Sequence, residues 1–373
     1  MVLPALCEIL PPGRLHGDRM RLGQRTMRLA FSIMFLGMIP WLVACAALLH
    51  QRYQSAQGVV DVFQDYSLQS IGDITLGQDG AVWMTDQDIG SFGTRLHRIS
   101  TAGKFRDVRL PDLDEGGPLG IATASDGAFW LTVQRGYYPG ENPRPDPDNY
   151  IYRVKTSGLV KSYRIPTAGG QPYGVAIGRR DVVWFTEFTA GKIGWRLPNG
   201  VFHEVRLLSP KAHPTAIAAS GNGSAWFLEG NVHRIGLVDL KGRLLEFPVR
   251  RLSKDEVQLC QVATDDNGNG WFTTSLNIGK ITRNGQVTYF DLAPGHQANC
   301  IMQGADGAMW FTEHNAVGRL SRKGNLTEFP MPANALRFII SGSDGNIWIV
   351  SDAPGGFQGF GQWEGVLRFS PRL

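Results

Sequence analysis

Residues 182–206 read VVWFTEFTAGKIGWRLPNGVFHEVR, and this pattern recurs through most of the chain. At its centre, a tryptophan lies in a short apolar stretch that is often followed by Thr and an acidic residue. Seven of the ten tryptophans have this context: Trp83, Trp130, Trp184, Trp226, Trp271, Trp310 and Trp348. They are separated by 47, 54, 42, 45, 39 and 38 residues. A repeat of about 40 residues made of short strands is typical of the blades of a β-propeller.

Each repeat contains four stretches of strand length. The first leads into a tight turn such as Asp306-Gly307, which favours a hairpin. The tryptophan strand follows, then a strand such as residues 193–196 (IGWR), and finally one such as residues 246–248 (EFP). We therefore predict an all-β fold, a seven-bladed propeller of four-stranded antiparallel blades, with each repeated tryptophan packed between neighbouring sheets.

The seventh repeat stops after its third strand, at residues 366–369, and no fourth strand follows it. Near the other end of the chain, residues 62–68 (VFQDYSL) resemble the fourth-strand segments 105–110 and 202–207. We predict that this N-terminal strand completes blade seven and closes the ring, which would remove a free sheet edge. The predicted organisation is a signal peptide or membrane anchor over residues 1–49, a linker over 50–58 and the propeller over 59–373.

The N-terminal segment has the pattern of an export or anchoring signal. Residues 29–49 carry no charge and follow five arginines, and about 20 apolar residues suffice to cross a bilayer. Three hypotheses stay open: an uncleaved anchor, a lipoprotein lipidated at Cys45 in the lipobox-like LVAC of residues 42–45, and a signal peptide cleaved in the small-residue stretch 44–46. All three predict a body in the bacterial cell envelope, periplasmic or extracellular.

The net charge argues against a nucleic-acid partner. The chain of 373 residues has a formal charge of +4, of which +3 lies in residues 1–49. The body is thus nearly neutral and offers no basic field to phosphates. We predict a monomer that contacts the membrane through its N-terminal segment and binds a small molecule, a peptide or a protein partner.

The direction of the strands indicates which face of the propeller carries function. The loop before each innermost strand and the loop between the second and third strands share one face, where the central channel opens. Two of these loops are long, residues 134–149 and 352–365, and long loops on a rigid scaffold often bind ligands. The predicted ligand-binding residues of this face are Tyr137, Tyr138, Tyr173, Asn299, Arg337 and Trp363.

Acidic residues and one histidine follow the tryptophan strands on the same face: Asp86, Glu187, Glu229, Glu313, His314 and Asp352. Such side chains around a channel bind divalent cations or transfer protons. The alternative is that a strand-end acid only bonds backbone N–H groups across a blade boundary. Recurrence of Glu in three blades favours this structural role for the glutamates, whereas His314 has no counterpart. The candidate catalytic residues are Asp352, His314 and Glu313.

The repeat W-F-T-E, I-G-R-I, E-F-P resembles that of the streptogramin B lyase (virginiamycin B lyase) family over about residues 70–370. Residues 184–187 with 192–194, and 310–313 with 317–320, carry the resemblance best. It implies a seven-bladed propeller in which magnesium and channel-mouth His and Glu residues open a cyclic depsipeptide by elimination at its ester. Such a reaction needs a base and a cation that stabilises the developing negative charge.

This sequence departs from the family at the positions of its functional residues. The two histidines of the family match Asn299 and Arg337, and a glutamate matches Ala335, while an acidic position is kept as Asp352. Magnesium is therefore implied only by the resemblance, and no other cofactor is predicted. Two hypotheses follow. The chain is a binding propeller without the family's chemistry, or it is a divergent lyase or hydrolase that uses Asp352, Arg337, Glu313 and His314.

The variant Cys45→Ser tests the N-terminal hypotheses. We expect both proteins to retain residues 29–49 as an uncleaved anchor, because residues 46–49 are apolar where lipoproteins are usually polar. Intact-mass spectrometry of the membrane fraction measures this. A lipid present on the wild type and absent from the variant would instead establish the lipoprotein.

Overall fold

The computed structural model describes residues 50–65, 68, 70–87, 94–111, 113, 116–135, 150–249, 261–274, 276–354 and 364–372. The predictions for residues 1–49, and for Tyr137, Tyr138 and Trp363, fall outside these ranges. Within them, no helix is long and apolar enough to span a membrane. In the part of the chain that the structure describes, the one helical element is the 3-10 turn Arg179–Asp181.

The described residues form seven antiparallel sheets, which are the seven predicted blades. The innermost strands of blades one to seven are β3 (Ile71–Leu76), β7 (Gly116–Thr123), β11 (Pro172–Ile177), β15 (Pro214–Ala219), β19 (Val262–Thr264), β23 (Ile301–Gln303) and β27 (Ala333–Ser341). The second strands, which carry the repeated tryptophans, are β4 (Val82–Asp86), β8 (Phe129–Arg135), β12 (Val183–Glu187), β16 (Ser224–Glu229), β20 (Gly270–Thr273), β24 (Met309–Thr312) and β28 (Ile347–Pro354).

The outer half of each sheet follows the same order. The third strands are β5 (Arg95–Ile99), β9 (Tyr150–Val154), β13 (Lys192–Arg196), β17 (Arg234–Asp239), β21 (Asn277–Ile281), β25 (Ala316–Leu320) and β29 (Gly365–Pro371). The fourth strands are β6 (Phe105–Arg109), β10 (Val160–Arg164), β14 (Phe202–Arg206), β18 (Leu244–Pro248), β22 (Val287–Asp291), β26 (Leu326–Pro330) and β2 (Gly58–Gln64). Blade seven has a fifth strand, β1 (His50–Ser55).

The N-terminal strand closes the ring, as the sequence predicted. Strand β2 pairs with β29 at seven positions, from Gly58 opposite Pro371 to Gln64 opposite Gly365. The closing strand begins four residues earlier than predicted. Residues 50–55, which were predicted as part of a linker over residues 50–58, form β1, which pairs with β2 and widens blade seven. Buried Asp61 holds this edge together by accepting hydrogen bonds from Arg368 at 2.7 Å and His50 at 3.2 Å.

The repeated tryptophans form the core, as predicted. Each is at most 7% exposed, and the buried apolar residues form seven clusters that each span two neighbouring blades. In blade six, Asp306 of the turn accepts hydrogen bonds from the Trp310 indole at 3.1 Å and from the backbone N–H of Ala308 at 3.1 Å. The turn aspartate therefore satisfies the one polar atom of the buried ring.

Glycine in the third strand makes room for phenylalanine in the second. In blade three, Gly194 lies opposite Phe185, and a Cβ on this glycine would lie 2.2 Å from the ring. The same Phe–Gly pair occurs in blades four, five and six. Blade seven has the pair Ile349 and Leu367 instead, so a smaller side chain in the second strand accompanies a larger one in the third. Close packing thus explains the recurrent Gly.

Removal of β2 should open the ring. Deleting residues 50–65 removes buried Val60, Val62 and Phe63, each contributing about 1.5–3 kcal/mol, and exposes the edge of β29. We expect aggregation and a lower Tm, measured by light scattering and thermal unfolding. The control deletion of residues 50–56 removes only the largely exposed β1 and should leave a monomer. A monomeric 50–65 deletion with an unchanged Tm would contradict the closure.

Candidate functional site

A threonine in five of the second strands links its blade to the next one. In blade one, the Thr85 hydroxyl accepts a hydrogen bond from the backbone N–H of Asp73 at 2.9 Å and donates to the carbonyl oxygen of Leu119 in blade two at 2.8 Å. The hydroxyls of Thr132, Thr186, Thr273 and Thr312 repeat this link, donating to the carbonyl oxygens of Tyr173, Thr215, Asn299 and Arg337. Three of these acceptors, Tyr173, Asn299 and Arg337, are residues predicted at the mouth, so the threonines position its backbone.

Among the described residues, the strand-end glutamates make no hydrogen bonds to backbone N–H groups of a neighbouring blade, in contrast to the structural role predicted for them. They point into their own blades and meet charges of the third and fourth strands. Glu229 is fully buried beside Arg234, which donates to Glu246 at 3.1 Å. Burial, aided by the charge of Glu246, raises the pKa of Glu229 to about 7. Burial and the charge of Glu204 likewise raise the pKa of Glu187 to about 8.

Arg337 lies at the junction between blade seven and blade one. Its guanidinium donates to Asp352 at 3.1 Å, to Glu364 at 2.9 Å and to the carbonyl oxygen of Ile71 at 3.0 Å. Glu364 is 4% exposed and also accepts the backbone N–H of Ile71 at 2.8 Å. The predicted residues Arg337 and Asp352 therefore meet, but Arg337 is held by two carboxyl groups and does not form an open anion site.

Asn299, another predicted mouth residue, uses its side chain within the scaffold. Its amide nitrogen donates to the carbonyl oxygen of Leu336 at 2.9 Å, which connects blade six to blade seven. The amide is half-buried in this position.

Tyr173 begins an aromatic group on the blade-three and blade-four side of the mouth. Its ring stacks on Phe188 with 5.6 Å between centroids, and Phe188 meets the His213 ring edge-on at 4.5 Å. Burial raises the pKa of Tyr173, and the charges of Arg337 and Asp73 also act on its hydroxyl, the former lowering the pKa and the latter raising it. The Tyr173 hydroxyl therefore lies within electrostatic reach of Arg337 and Asp73.

Two carboxyl groups at the mouth, those of Asp73 and Glu364, were not predicted from the sequence. Asp73 lies on β3 and accepts hydrogen bonds from the backbone N–H groups of Ile74 at 2.8 Å and Ile121 at 3.2 Å. Burial raises its pKa to about 7, as it does for Glu364. Asp73 could have been found from its repeat position, because no other blade has an acidic residue there. The residues at this position in the other blades are Gly120, Gly174, Ala216, Gln261, Cys300 and Phe338. Glu364 had no such signal, because it ends a long non-repeating loop.

The three candidate catalytic residues do not form one group. Asp352 is bound to Arg337, whereas Glu313 is buried in blade six with His296 Nδ1 at 2.5 Å from its Oε2. His314 is exposed beside it. Burial raises the pKa of Glu313, against the lowering effect of the His296 contact.

The sequence model of the virginiamycin B lyase family matches residues 145–256 and 250–355, more than half of the chain. The chain belongs to the virginiamycin B lyase family. It is 30% identical over 146 residues to a virginiamycin B lyase of Nocardia farcinica (strain IFM 10152). That match covers 39% of this chain and 45% of the relative, so it spans less than half of the relative's length.

Solved structures of family members share the fold. A streptogramin B lyase structure superposes with a TM-score of 0.68 at 23% identity, covering 83% of this chain and 97% of that one. The selenomethionine-substituted virginiamycin B lyase of Staphylococcus aureus gives 0.67 at 24% identity, with 83% and 98% covered. A catalytically inactive histidine-to-alanine variant of that enzyme with quinupristin gives 0.66 at 24% identity, with 83% and 98% covered.

The magnesium that the resemblance implies does not fit the residues at this mouth. The resemblance matches Asn299 and Arg337 to the histidines of the family, and the Arg337 guanidinium already supplies the positive charge beside Asp352. Ala335 offers no carboxylate at the third position. A second cation would meet the guanidinium instead of a set of ligands.

The mouth of this family member should make its stability depend on pH. The pKa of Glu364 is about 7 in the fold against an ordinary value of 4.5, so the folded state holds the proton between these pH values. The free energy of unfolding therefore falls as the pH rises through this window, and Asp73 and Glu229 act with the same sign. We expect a lower Tm at pH 8 than at pH 5.5, and a smaller difference in Glu364→Gln.

Asp306→Asn is the control for this prediction. Although burial opposes it, hydrogen bonds from Arg319 and Trp310 lower the pKa of Asp306, which stays ionised across the window. This variant should lose stability with an unchanged pH dependence. Thermal melts in which wild type and Glu364→Gln change in parallel would contradict the role of Glu364.

Proposed function

We propose that this chain is a ligand-binding member of the virginiamycin B lyase family. Its mouth binds a peptide-like ligand that carries an aromatic ring, and it leaves the covalent bonds of that ligand intact. One observation carries the proposal. Asn299 and Arg337, which the resemblance matches to the family's functional histidines, are both engaged in contacts between blades.

The mouth offers a ligand two different surfaces, an aromatic one and a charged one. Tyr173 and Phe188 offer ring faces, and aromatic pairs of this kind stabilise by about 0.5–1.5 kcal/mol beyond the area they bury. Opposite them, Arg337 and Asp352 offer a donor and an acceptor that are each about 40% exposed. A ligand with a ring and amide groups matches such a site. We also propose Tyr137, Tyr138 and Trp363, which lie outside the described ranges, as ligand-binding residues.

The absence of chemistry follows from the side chains at the histidine positions. Abstraction of a proton next to a carbonyl needs a base, which typically supplies ~10²–10⁴ in rate. Asn has no basic atom, and Arg stays protonated in proteins. Asp352 keeps its carboxylate, but Arg337 holds that carboxylate in an ion pair.

A divergent lyase or hydrolase is the second candidate, and a specific observation favours it. Asp73 and Glu364 face the mouth with pKa values of about 7, the range in which a general base works near neutral pH. In this second candidate function, Asp73 and Glu364 take the catalytic role predicted for Glu313, because Glu313 is buried in blade six. They act together with Asp352, Arg337 and His314.

We also propose that the propeller lies outside the cytoplasm, in the bacterial cell envelope. The support is the uncharged run of residues 29–49 behind five arginines. The mouth would then meet ligands in the periplasm or the surrounding medium, with the membrane contacted by the N-terminal segment alone.

Quinupristin, the ligand of the solved relative, is the probe for binding. We expect calorimetric titration to show binding by the full chain and about tenfold weaker binding by Tyr173→Ala, because one stacking face is lost. Leu159→Ala, a change of an exposed residue in the turn at the opposite face, should bind like the wild type. No heat of binding up to millimolar quinupristin, or equal affinity for both variants, would overturn this assignment of the site.

Chromatography and mass spectrometry of the incubated ligand test the chemistry. We expect quinupristin to stay intact with or without magnesium. Elimination would change its retention time at unchanged mass, whereas hydrolysis would add the mass of one water molecule. Ring opening that is abolished in Glu364→Gln or Asp73→Asn would overturn the binding proposal and establish the second candidate.

A further inference from the structure

We propose that blade six carries a divalent-metal site formed by His296, Glu313 and Glu328. The site lies at the mouth end of the blade, apart from Arg337 and Asp352, and it does not depend on the proposed function. Its side chains come from the loop before β23, from the residue after β24 and from β26. Blade six differs from the other blades at this place, and the geometry of its three side chains suits a metal.

Pairs of carboxyl groups recur at one place in four blades. One member follows or ends the second strand, and the other lies in the fourth strand opposite the third residue of the third strand. The pairs are Asp86 with Asp107, Glu187 with Glu204, Glu229 with Glu246 and Glu313 with Glu328. Two carboxyl groups in a buried place need a positive charge nearby.

In three of these blades, the first residue of the third strand supplies that charge. Arg95 binds Asp86 at 3.0 Å, Lys192 binds Glu204 at 2.7 Å and Arg234 binds Glu246 at 3.1 Å. In each pair, the carboxyl group that does not bind the cation directly still interacts with its charge. A lysine or arginine at this position is thus the ordinary solution of the repeat.

Blade six keeps both carboxyl groups but has Ala316 in place of the cation. His296 approaches instead, from the loop between the blades. Its Nδ1 atom lies 2.5 Å from Glu313 Oε2 and 3.4 Å from Glu328 Oε1. The three ligand atoms lie within 4.8 Å of one another.

Glu313 provides the second observation. Its side chain is 2% exposed, and among the described residues its Oε1 atom has no hydrogen-bond partner. A buried carboxylate oxygen without a donor is costly, and coordination to a cation satisfies it. The histidine leaves this oxygen unsatisfied, because its Nδ1 atom is directed at Oε2.

The donor set identifies the class of metal. One imidazole nitrogen and two carboxylates suit a first-row ion such as Zn²⁺, with ligand bonds of about 2.0–2.2 Å. Two ligands of a tetrahedral ion at these bond lengths lie about 3.4 Å apart. His296 and Glu328 already have this distance, whereas His296 Nδ1, at 2.5 Å from Glu313 Oε2, has to move about 1 Å away from that oxygen when a metal binds. His296 and Glu328 are about 30% exposed, so water can complete the coordination.

A metal here would fasten the loop that leads into the mouth. His296 lies three residues before Asn299, and the ion would tie this loop to β26 on the outer side of the blade. Binding to the folded state alone stabilises a protein in proportion to the logarithm of the metal concentration above Kd. The site is therefore a structural clamp at the mouth.

The test uses the full chain, zinc chloride and thermal unfolding together with metal analysis after dialysis. We expect one zinc per chain, dependent on these side chains, and a rise in Tm. His296→Ala and Glu328→Gln should each weaken binding by about 100-fold or more, since loss of a supporting residue alone costs 10–100-fold. Glu328→Gln changes a partly exposed side chain and keeps the test informative if His296→Ala fails to fold.

Two further variants identify the site. Ala316→Lys installs the cation of the other blades, so it should abolish zinc binding and raise the Tm of the metal-free protein. Glu246→Gln, the matching change in blade four, should bind zinc like the wild type. No binding at millimolar zinc, or equal binding by the wild type, His296→Ala and Ala316→Lys, would overturn the proposal.

Discussion

The threonine hydroxyl that joins one blade to the next is the interaction on which the mouth depends. Each of the five hydroxyls bonds the innermost strand of its own blade and a carbonyl oxygen of the next, so it sets the spacing of adjacent sheets at the channel. A net contribution of about 1 kcal/mol per hydrogen bond is small beside the buried tryptophans. Its direction matters more, because the carbonyl groups it holds belong to Tyr173, Asn299 and Arg337.

The junction of blades seven and one lacks this threonine, since Val350 stands at that position. Arg337 and Glu364 take over the link by bonding both the carbonyl oxygen and the N–H of Ile71. The ring is also closed here by β2, so this junction joins the two ends of the propeller. Arg337 thus serves closure, which agrees with our proposal that the mouth binds and does not catalyse.

Comparison of the blades with one another separates scaffold from site. A feature present in most blades, such as the Phe–Gly pair or the Asp that caps a tryptophan, is explained by packing. A feature present in one blade needs its own explanation. Asp73 in the channel and Ala316, which replaces the cation in blade six, are of the second kind. Asp73 belongs to the second candidate function, and Ala316 lies beside the proposed metal site.

The sequence alone determined the number of blades, their strand order, the buried tryptophans and the closure by an N-terminal strand. Those features follow from local patterns repeated seven times, and each repeat confirms the others. Only the tertiary structure decided which side chains of the site meet. It pairs Arg337 with Glu364 and His296 with Glu313. It also groups Tyr173 with Phe188 and His213. The partners in these contacts come from different strands and loops, often of different blades. Whether two such side chains meet depends on the curvature of the ring and the register of its sheets, which no single repeat records.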